Sequence, residues 1–255
     1  MAEDKNLNAN LIEEANRIVS RANEKGVTMR LLGSIAFRIH CPKYVSYLDK
    51  MDRQLTDVDF ASYSNERSKV EKLLDELGYT TQSYLLVAAA QFGRSIYWKK
   101  DDKRLRADIF WDRLSMNHTI DFNRRLELDS PTVPLSELLQ EKLQIVHLNM
   151  KDVKDTIVLL LEHEAKENND KDCIDLSPIL RNAATDWGYY YTFSTNLKKI
   201  QEHLQNFDML APDEKATVNK RITAMLEAFE AAPKSMKWKM RAKIGPSRKW
   251  YTEVQ

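Results

Sequence analysis

Three aspartates carry most of the chemistry legible in this chain. Asp57 and Asp59 flank one residue in the run Thr56-Asp57-Val58-Asp59-Phe60, and Asp108 stands within Arg106-Ala107-Asp108-Ile109-Phe110. In an extended strand, side chains two apart leave the same face about 7 Å apart along the chain. Asp57 and Asp59 therefore point one way while Val58 and Phe60 point the other. A third carboxylate on a neighbouring strand completes an oxygen donor set suited to a hard cation such as magnesium. Two metal ions roughly 3.5–4 Å apart can clamp the attacking and leaving oxygens of a displacement at phosphorus, so a pair of Mg2+ ions is the cofactor this set predicts. Upstream, Gly33-Ser34 closes the apolar run Val27 to Leu32. A glycine turn from strand to helix puts backbone N–H groups and a small hydroxyl where a phosphate can meet them.

Two aspartates two apart also occur in ordinary solvated loops, so the pair needs a scaffold. Leu11, Ile12, Ala15, Ile18, Val19 and Ala22 form a helical stripe that ends at Gly26. A strand over Val27 to Leu32 and a helix over Ile35 to His40 follow, then an irregular segment containing Pro42. Thr56 to Tyr63 alternates as a strand. Ser64 is the expected N-cap of a helix carrying Val70, Leu73, Leu74 and Leu77, stopped by Gly78. Gly93 to Trp98 and Leu105 to Trp111 read as a hairpin about the polar interruption Lys99 to Lys103. Beyond Pro131 and Pro134 the pattern turns helical, at Leu135 to Leu148, Val153 to Leu161, Trp187 to Leu204 and Glu214 to Phe229. The expected class is α/β (α+β), a small mixed sheet flanked by helices in residues 1–129 and a helical domain in 130–255.

Composition supports a folded, helix-rich protein: of 255 residues, 43% are hydrophobic, 30% are charged, and only six are glycine. A formal charge of +1 argues against a chain that coats nucleic acid along its whole surface. Cys41 and Cys173 lie far apart and show no metal-type spacing. With no apolar leader and no apolar run long enough to cross a bilayer, neither export nor membrane insertion is expected. The expected location is cytoplasmic.

Leu31-Leu32-Gly33-Ser34, Thr56 to Phe60 and Arg106 to Phe110 together resemble the three motifs of the DNA polymerase beta superfamily of nucleotidyltransferases. More closely they look like its AbiEii-type branch, which includes toxins of bacterial toxin–antitoxin pairs. Glu141-Lys142 followed by Lys151-Asp152-Val153-Lys154-Asp155 resembles a further helical motif of that branch. The motifs span residues 27 to 163. The gap from Gly33 to Asp57 is longer than in compact members, which leaves the Cys41 to Arg53 segment to reshape the pocket.

The resemblance implies transfer of a nucleoside monophosphate from a nucleoside triphosphate to a hydroxyl, with RNA or tRNA as acceptor and an antitoxin protein as partner. Asp57, Asp59 and Asp108 would bind the metals, and Asp108 could also take the proton of the attacking hydroxyl. Gly33, Ser34, Arg53, Lys142, Asp152 and Asp155 would line the nucleotide. Two rivals stay open: a small-molecule, aminoglycoside-like acceptor, and a non-catalytic nucleotide-binding module of the same fold.

Four other features admit both a functional and a packing reading. Lys142 falls among Leu138, Leu139, Ile145 and Val146 on the apolar face of its helix, so it should face inward and needs an anion. Triphosphate is the favoured anion, Asp152 or Asp155 is the structural alternative, and a packed stem whose head snorkels to solvent is the third reading. His118 has no second ligand at metal spacing and is read as a packing residue. From Lys234 to Tyr251 seven basic residues and no acidic one are interleaved with Trp238, Trp250 and Tyr251, which suits either an RNA backbone with stacked bases or solvated lysines around core tryptophans. Trp187, Tyr189, Tyr190, Tyr191 and Phe193 read as core between helices.

Overall fold

The computed structural model describes residues 2–81, 93–167 and 170–253. They form a mixed α/β protein whose contacts divide into two units, one from 1–40, 52–115 and 119–134, the other from 41–51, 116–118 and 135–255. No helix among the described residues is long and apolar enough to cross a membrane.

The sheet unit opens with α1 (Ala2–Glu24), which buries Leu11, Ala15, Ile18, Val19 and Ala22 and packs on β1 (Met29–Leu32). Gly26 has φ 63°, the left-handed turn that ends such a helix. After β1 come α2 (Gly33–His40), β2 (Val58–Ser62), α4 (Arg67–Glu76), β3 (Tyr79–Thr80), β4 (Arg94–Lys99) and β5 (Arg106–Trp111). The α3 helix (Val45–Lys50), which interrupts this order, belongs to the other unit. The strands order β1-β2-β5-β4-β3, with only β2 and β5 parallel. A small hairpin, β6 (Arg113–Ser115) with β7 (Thr119–Asp121), follows.

Two expectations change here. Ser64 does not cap α4: its N–H is taken by Asp112 Oδ1 at 2.9 Å, a single 3-10 turn covers Ser64–Glu66, and the α-helix starts at Arg67. The sheet unit also runs on to Pro134, past the expected limit at Asp129. The reason lies in backbone pairing at the edge of β1, where Leu31 N donates to Pro131 O and Val133 N donates to Leu31 O, both at 2.9 Å.

The helical unit is built around α8 (Trp187–Leu204), which packs on α5 (Leu135–Leu143), α6 (Met150–Glu162), α7 (Ser177–Thr185), α9 (Pro212–Ala231) and α10 (Met236–Ile244). Tyr189, Phe193, Leu197, Ile200 and Leu204 give α8 its buried stripe. Short strands β8 (Ala165–Lys166) and β9 (Ile174–Asp175) pair in parallel. The α5 helix stops at Leu143 and not at Leu148, because side chains capture the backbone there. Asn196 Nδ2 donates to the carbonyls of Leu143 at 2.9 Å and Ile145 at 2.8 Å, and Asn117 Oδ1 accepts from Val146 N at 2.8 Å. The α3, α7 and α10 helices are not evident from sequence periodicity. The first is six residues long, and the last carries its large aliphatic residues on its outer face.

Asp186 caps α8 by accepting from Gly188 N at 2.7 Å and Tyr189 N at 3.2 Å. Asp186→Ala leaves those donors unmatched at the start of the central helix, so a loss of about 1 kcal/mol is expected in urea unfolding. An unchanged midpoint and slope would show that the cap does not support the helix.

Candidate functional site

The sheet register brings the aspartates together. Asp59 lies beside Asp108 across the parallel pair β2–β5, and Leu32, the last residue of β1, lies beside Asp59 on its other side. Asp57 immediately precedes β2 and is turned to the same face, with Thr56 Oγ1 donating to its Oδ1 at 2.9 Å. One carboxylate oxygen from each of Asp57, Asp59 and Asp108 can be chosen so that all lie within 4.8 Å of one another. Asp108 is buried, whereas Asp57 and Asp59 are half-buried.

Gly33 is part of this geometry for a steric reason. Its φ is 70°, and a Cβ there would sit 2.3 Å from Asp59 Oδ2 and 3.1 Å from Asp59 Cγ. The turn out of β1 therefore backs directly onto the Asp59 carboxylate, and a side chain is excluded twice, by conformation and by space. Ser34 follows, buried, in the first turn of α2.

The counter-charges are residues the sequence reading passed over. Arg106 donates to Asp57 Oδ2, and also reaches Asp108 with Nε at 3.0 Å from Oδ1 and Nη2 at 3.1 Å from Oδ2. Arg94 adds a contact of 3.6 Å to Asp108 Oδ2. Burial pushes the Asp108 carboxyl above the usual carboxylate range, against the pull of Arg94 and Arg106. Burial likewise opposes the charge of Arg106, yet Asp108 and Asp57 hold its guanidinium above the usual arginine range. The period of two could have revealed Arg106, because it stands two residues before Asp108 in one strand and so shares its face. Arg94 needed the β4–β5 register, in which Ile96 faces Asp108 and Arg94 faces Phe110.

In the helical unit, Lys142 is buried as its place on the apolar face of α5 required, although Ile145 and Val146 lie beyond the end of that helix. Its anion is carboxylate. Lys142 Nζ is 2.7 Å from Glu141 Oε1, 3.3 Å from Asp155 Oδ2 and 3.9 Å from Asp152 Oδ1. Burial works against the ammonium, but these three carboxylates hold it well above the usual lysine range. Asp152 is pushed up to about 6, first by burial and then by its acidic neighbours, against Lys142. The charge of Lys142 is thus matched without a triphosphate.

The remaining candidates fall as follows. Arg53 is buried and donates from Nη1 to the Gln54 carbonyl at 2.6 Å, and its own carbonyl accepts from Arg38 Nη2 at 2.8 Å. Within the Cys41 to Arg53 segment, Cys41–Met51 groups with the helical unit, where α3 packs on α6. His118 is a packing residue, its Nε2 2.8 Å from Thr192 Oγ1 and its charged form disfavoured by burial. The aromatic residues of the basic C-terminal segment turn inward. Trp250 meets Trp187 and Tyr191 edge to face and donates to Thr192 Oγ1 at 3.0 Å, while Trp238 packs against Tyr190.

Three converging carboxylates, two on adjacent strands and one just ahead of β2, are a hard-oxygen donor set that fits magnesium, and Arg106 bridges two of them. No family model, curated protein or solved structure matches this chain.

Two measurements check these assignments. Gly33→Ala forces a Cβ into the Asp59 carboxylate, so divalent-cation affinity is expected to fall along with a loss of roughly 1–3 kcal/mol in stability. A variant equal to the parent in both would show that the close approach is not required. Lys142→Met leaves Glu141, Asp152 and Asp155 without their buried cation, and a loss of about 3–5 kcal/mol is expected in denaturant unfolding. Parental stability would remove the ion-pair cluster from the account.

Proposed function

We propose that this chain is a magnesium-dependent nucleotidyltransferase that moves a nucleoside monophosphate from a nucleoside triphosphate to an acceptor hydroxyl. The observation that carries the reading is the pairing of Asp59 with Asp108 in register, with Asp57 converging on them and Gly33 packed against Asp59. The resemblance of the three motifs to the DNA polymerase beta superfamily points the same way.

Asp57, Asp59 and Asp108 would hold the magnesium, which when bound neutralises the triphosphate and the charge that develops on the departing pyrophosphate. The backbone at the start of α2, with Ser34, offers N–H and hydroxyl donors to phosphate oxygens. The acceptor oxygen forms a bond to the α-phosphorus as the bond to the bridging oxygen breaks. Pyrophosphate leaves with that electron pair, and the hydroxyl proton passes to Asp108. Arg106 and Arg94 hold the Asp108 carboxylate in place through the contacts described above. RNA or tRNA is the proposed acceptor and an antitoxin protein the proposed partner, with a small hydroxylated molecule as the rival acceptor.

A second reading, nucleotide binding without transfer, draws on Arg106, whose guanidinium bridges two of the three carboxylates. The two readings separate when the purified protein is incubated with labelled nucleoside triphosphates, magnesium and total cellular RNA. Transfer is expected. Asp57→Asn and Asp59→Asn should each lower it on the order of 10²-fold or more, the scale of losing one preorganised electrostatic contact, while thermal unfolding stays near the parent value. Undiminished transfer in the double variant would rule out this metal site, and triphosphate binding with no transfer to any acceptor would favour the second reading.

A further inference from the structure

The α10 helix presents a surface that the proposed transferase chemistry does not use. Its inner side is engaged: Trp238 lies 5.2 Å from Tyr190 edge to face, and the Arg241 guanidinium stacks 4.6 Å above the Trp187 ring. Ser235 fixes the start of the helix, accepting from Trp238 N with its hydroxyl and donating its own N–H to Ala184 O. The outer side carries Met236, Met240 and Ile244, which are 72%, 60% and 46% exposed.

At 100° per residue these three side chains span an arc of about 80°. Lys237 borders that arc on one edge, about 20° beyond Ile244, and Lys243 borders it on the other, about 20° beyond Met236. Lys239 stands further round on the same side as Lys243, and all three lysines are exposed. From Ala231 to Thr252 the chain holds Lys234, Lys237, Lys239, Arg241, Lys243, Arg248 and Lys249 and no acidic residue. The result is a narrow apolar seam, two helical turns long, with positive charge along both edges.

We propose that this face of α10 docks an acidic amphipathic helix of a partner protein. Three observations select that occupant. A seam at i, i+4 and i+8 matches the apolar ridge of one facing helix, and flanking lysines match glutamates or aspartates beside that ridge. Methionine suits such a surface, because its unbranched, polarisable side chain repacks around different neighbours. The alternatives fit less well. A helix lying on a lipid surface buries a wide apolar face rich in Trp, Phe and Leu, whereas this arc is narrow and aliphatic. Single-stranded RNA needs exposed aromatic rings for its bases, and Trp238 and Trp250 are turned inward. The inference is independent of the nucleotidyltransferase reading.

The test titrates the full chain with a fluorescent synthetic helix about two heptads long, leucine at its a and d positions and glutamate beside them. A scrambled peptide of the same composition, vesicles of phosphatidylcholine with phosphatidylserine, and poly(U) serve as the other probes. Saturable binding of the amphipathic peptide is expected, with the scrambled peptide weaker by roughly tenfold or more. Replacing Met236, Met240 and Ile244 by Ser should weaken binding by at least the same factor, as truncation of interface anchors does. These side chains are exposed, so thermal unfolding of the triple variant should match the parent and any loss belongs to the surface. The proposal is overturned if both peptides bind equally, if the triple variant binds like the parent, if no peptide binding is seen, or if only vesicles or poly(U) bind in a manner that depends on the three residues.

Discussion

Three carboxylates whose oxygens converge within 4.8 Å repel one another, and the sheet unit is organised so that they meet nonetheless. Adjacent strands β2 and β5 run parallel, which sets Asp59 beside Asp108 at a fixed register. Arg106, two residues before Asp108, supplies a guanidinium fork that spans Asp57 and Asp108 together, and a bidentate fork is the geometry arginine offers and lysine does not. Mutual repulsion of this kind is tolerated in a folded protein when a cation, from side chain or solution, sits among the anions.

Buried charge in the helical unit is balanced in the opposite sense. There a single ammonium, Lys142, stands among Glu141, Asp152 and Asp155, with Asp155 completely buried. Asp152 Oδ2 is buried without a hydrogen-bond partner, and burial with its acidic neighbours holds the Asp152 carboxyl above the usual carboxylate range. A lysine and two aspartates spaced along two helices thus have a structural explanation of their own, apart from any role with a nucleotide.

Polar side chains also decide where elements stop. Asn196, buried on α8, takes the carbonyls of Leu143 and Ile145, so α5 ends where a partner helix reaches its backbone and not where its hydrophobic pattern fades. Asp112 draws the Ser64 N–H and delays the start of α4 in the same way. Each is an interaction between residues far apart in the chain, and periodicity alone carries no record of it.

Much of the scaffold was nonetheless legible. The 3.6-residue stripe of α1, the period of two through Val58 and Phe60, the hairpin of β4 and β5, and the span of α8 all follow from local patterning, because burial of one face imposes its period on the chain. That Asp57 and Asp59 share a face also follows from local patterning. What the sequence by itself could not decide was which other strands lie beside that hairpin, and in what register the strands pair. The β2–β5 pairing sets Asp108 against Asp59, the β1 turn packs Gly33 onto that carboxylate, and the β4–β5 register delivers Arg94. These are long-range contacts, chosen by packing of the whole sheet and not by any property of the segments taken singly. The partner of Lys142 was undecided for the same reason: the sequence required an anion, and only the packing of α6 on α5 brought Asp152 and Asp155 within reach of it.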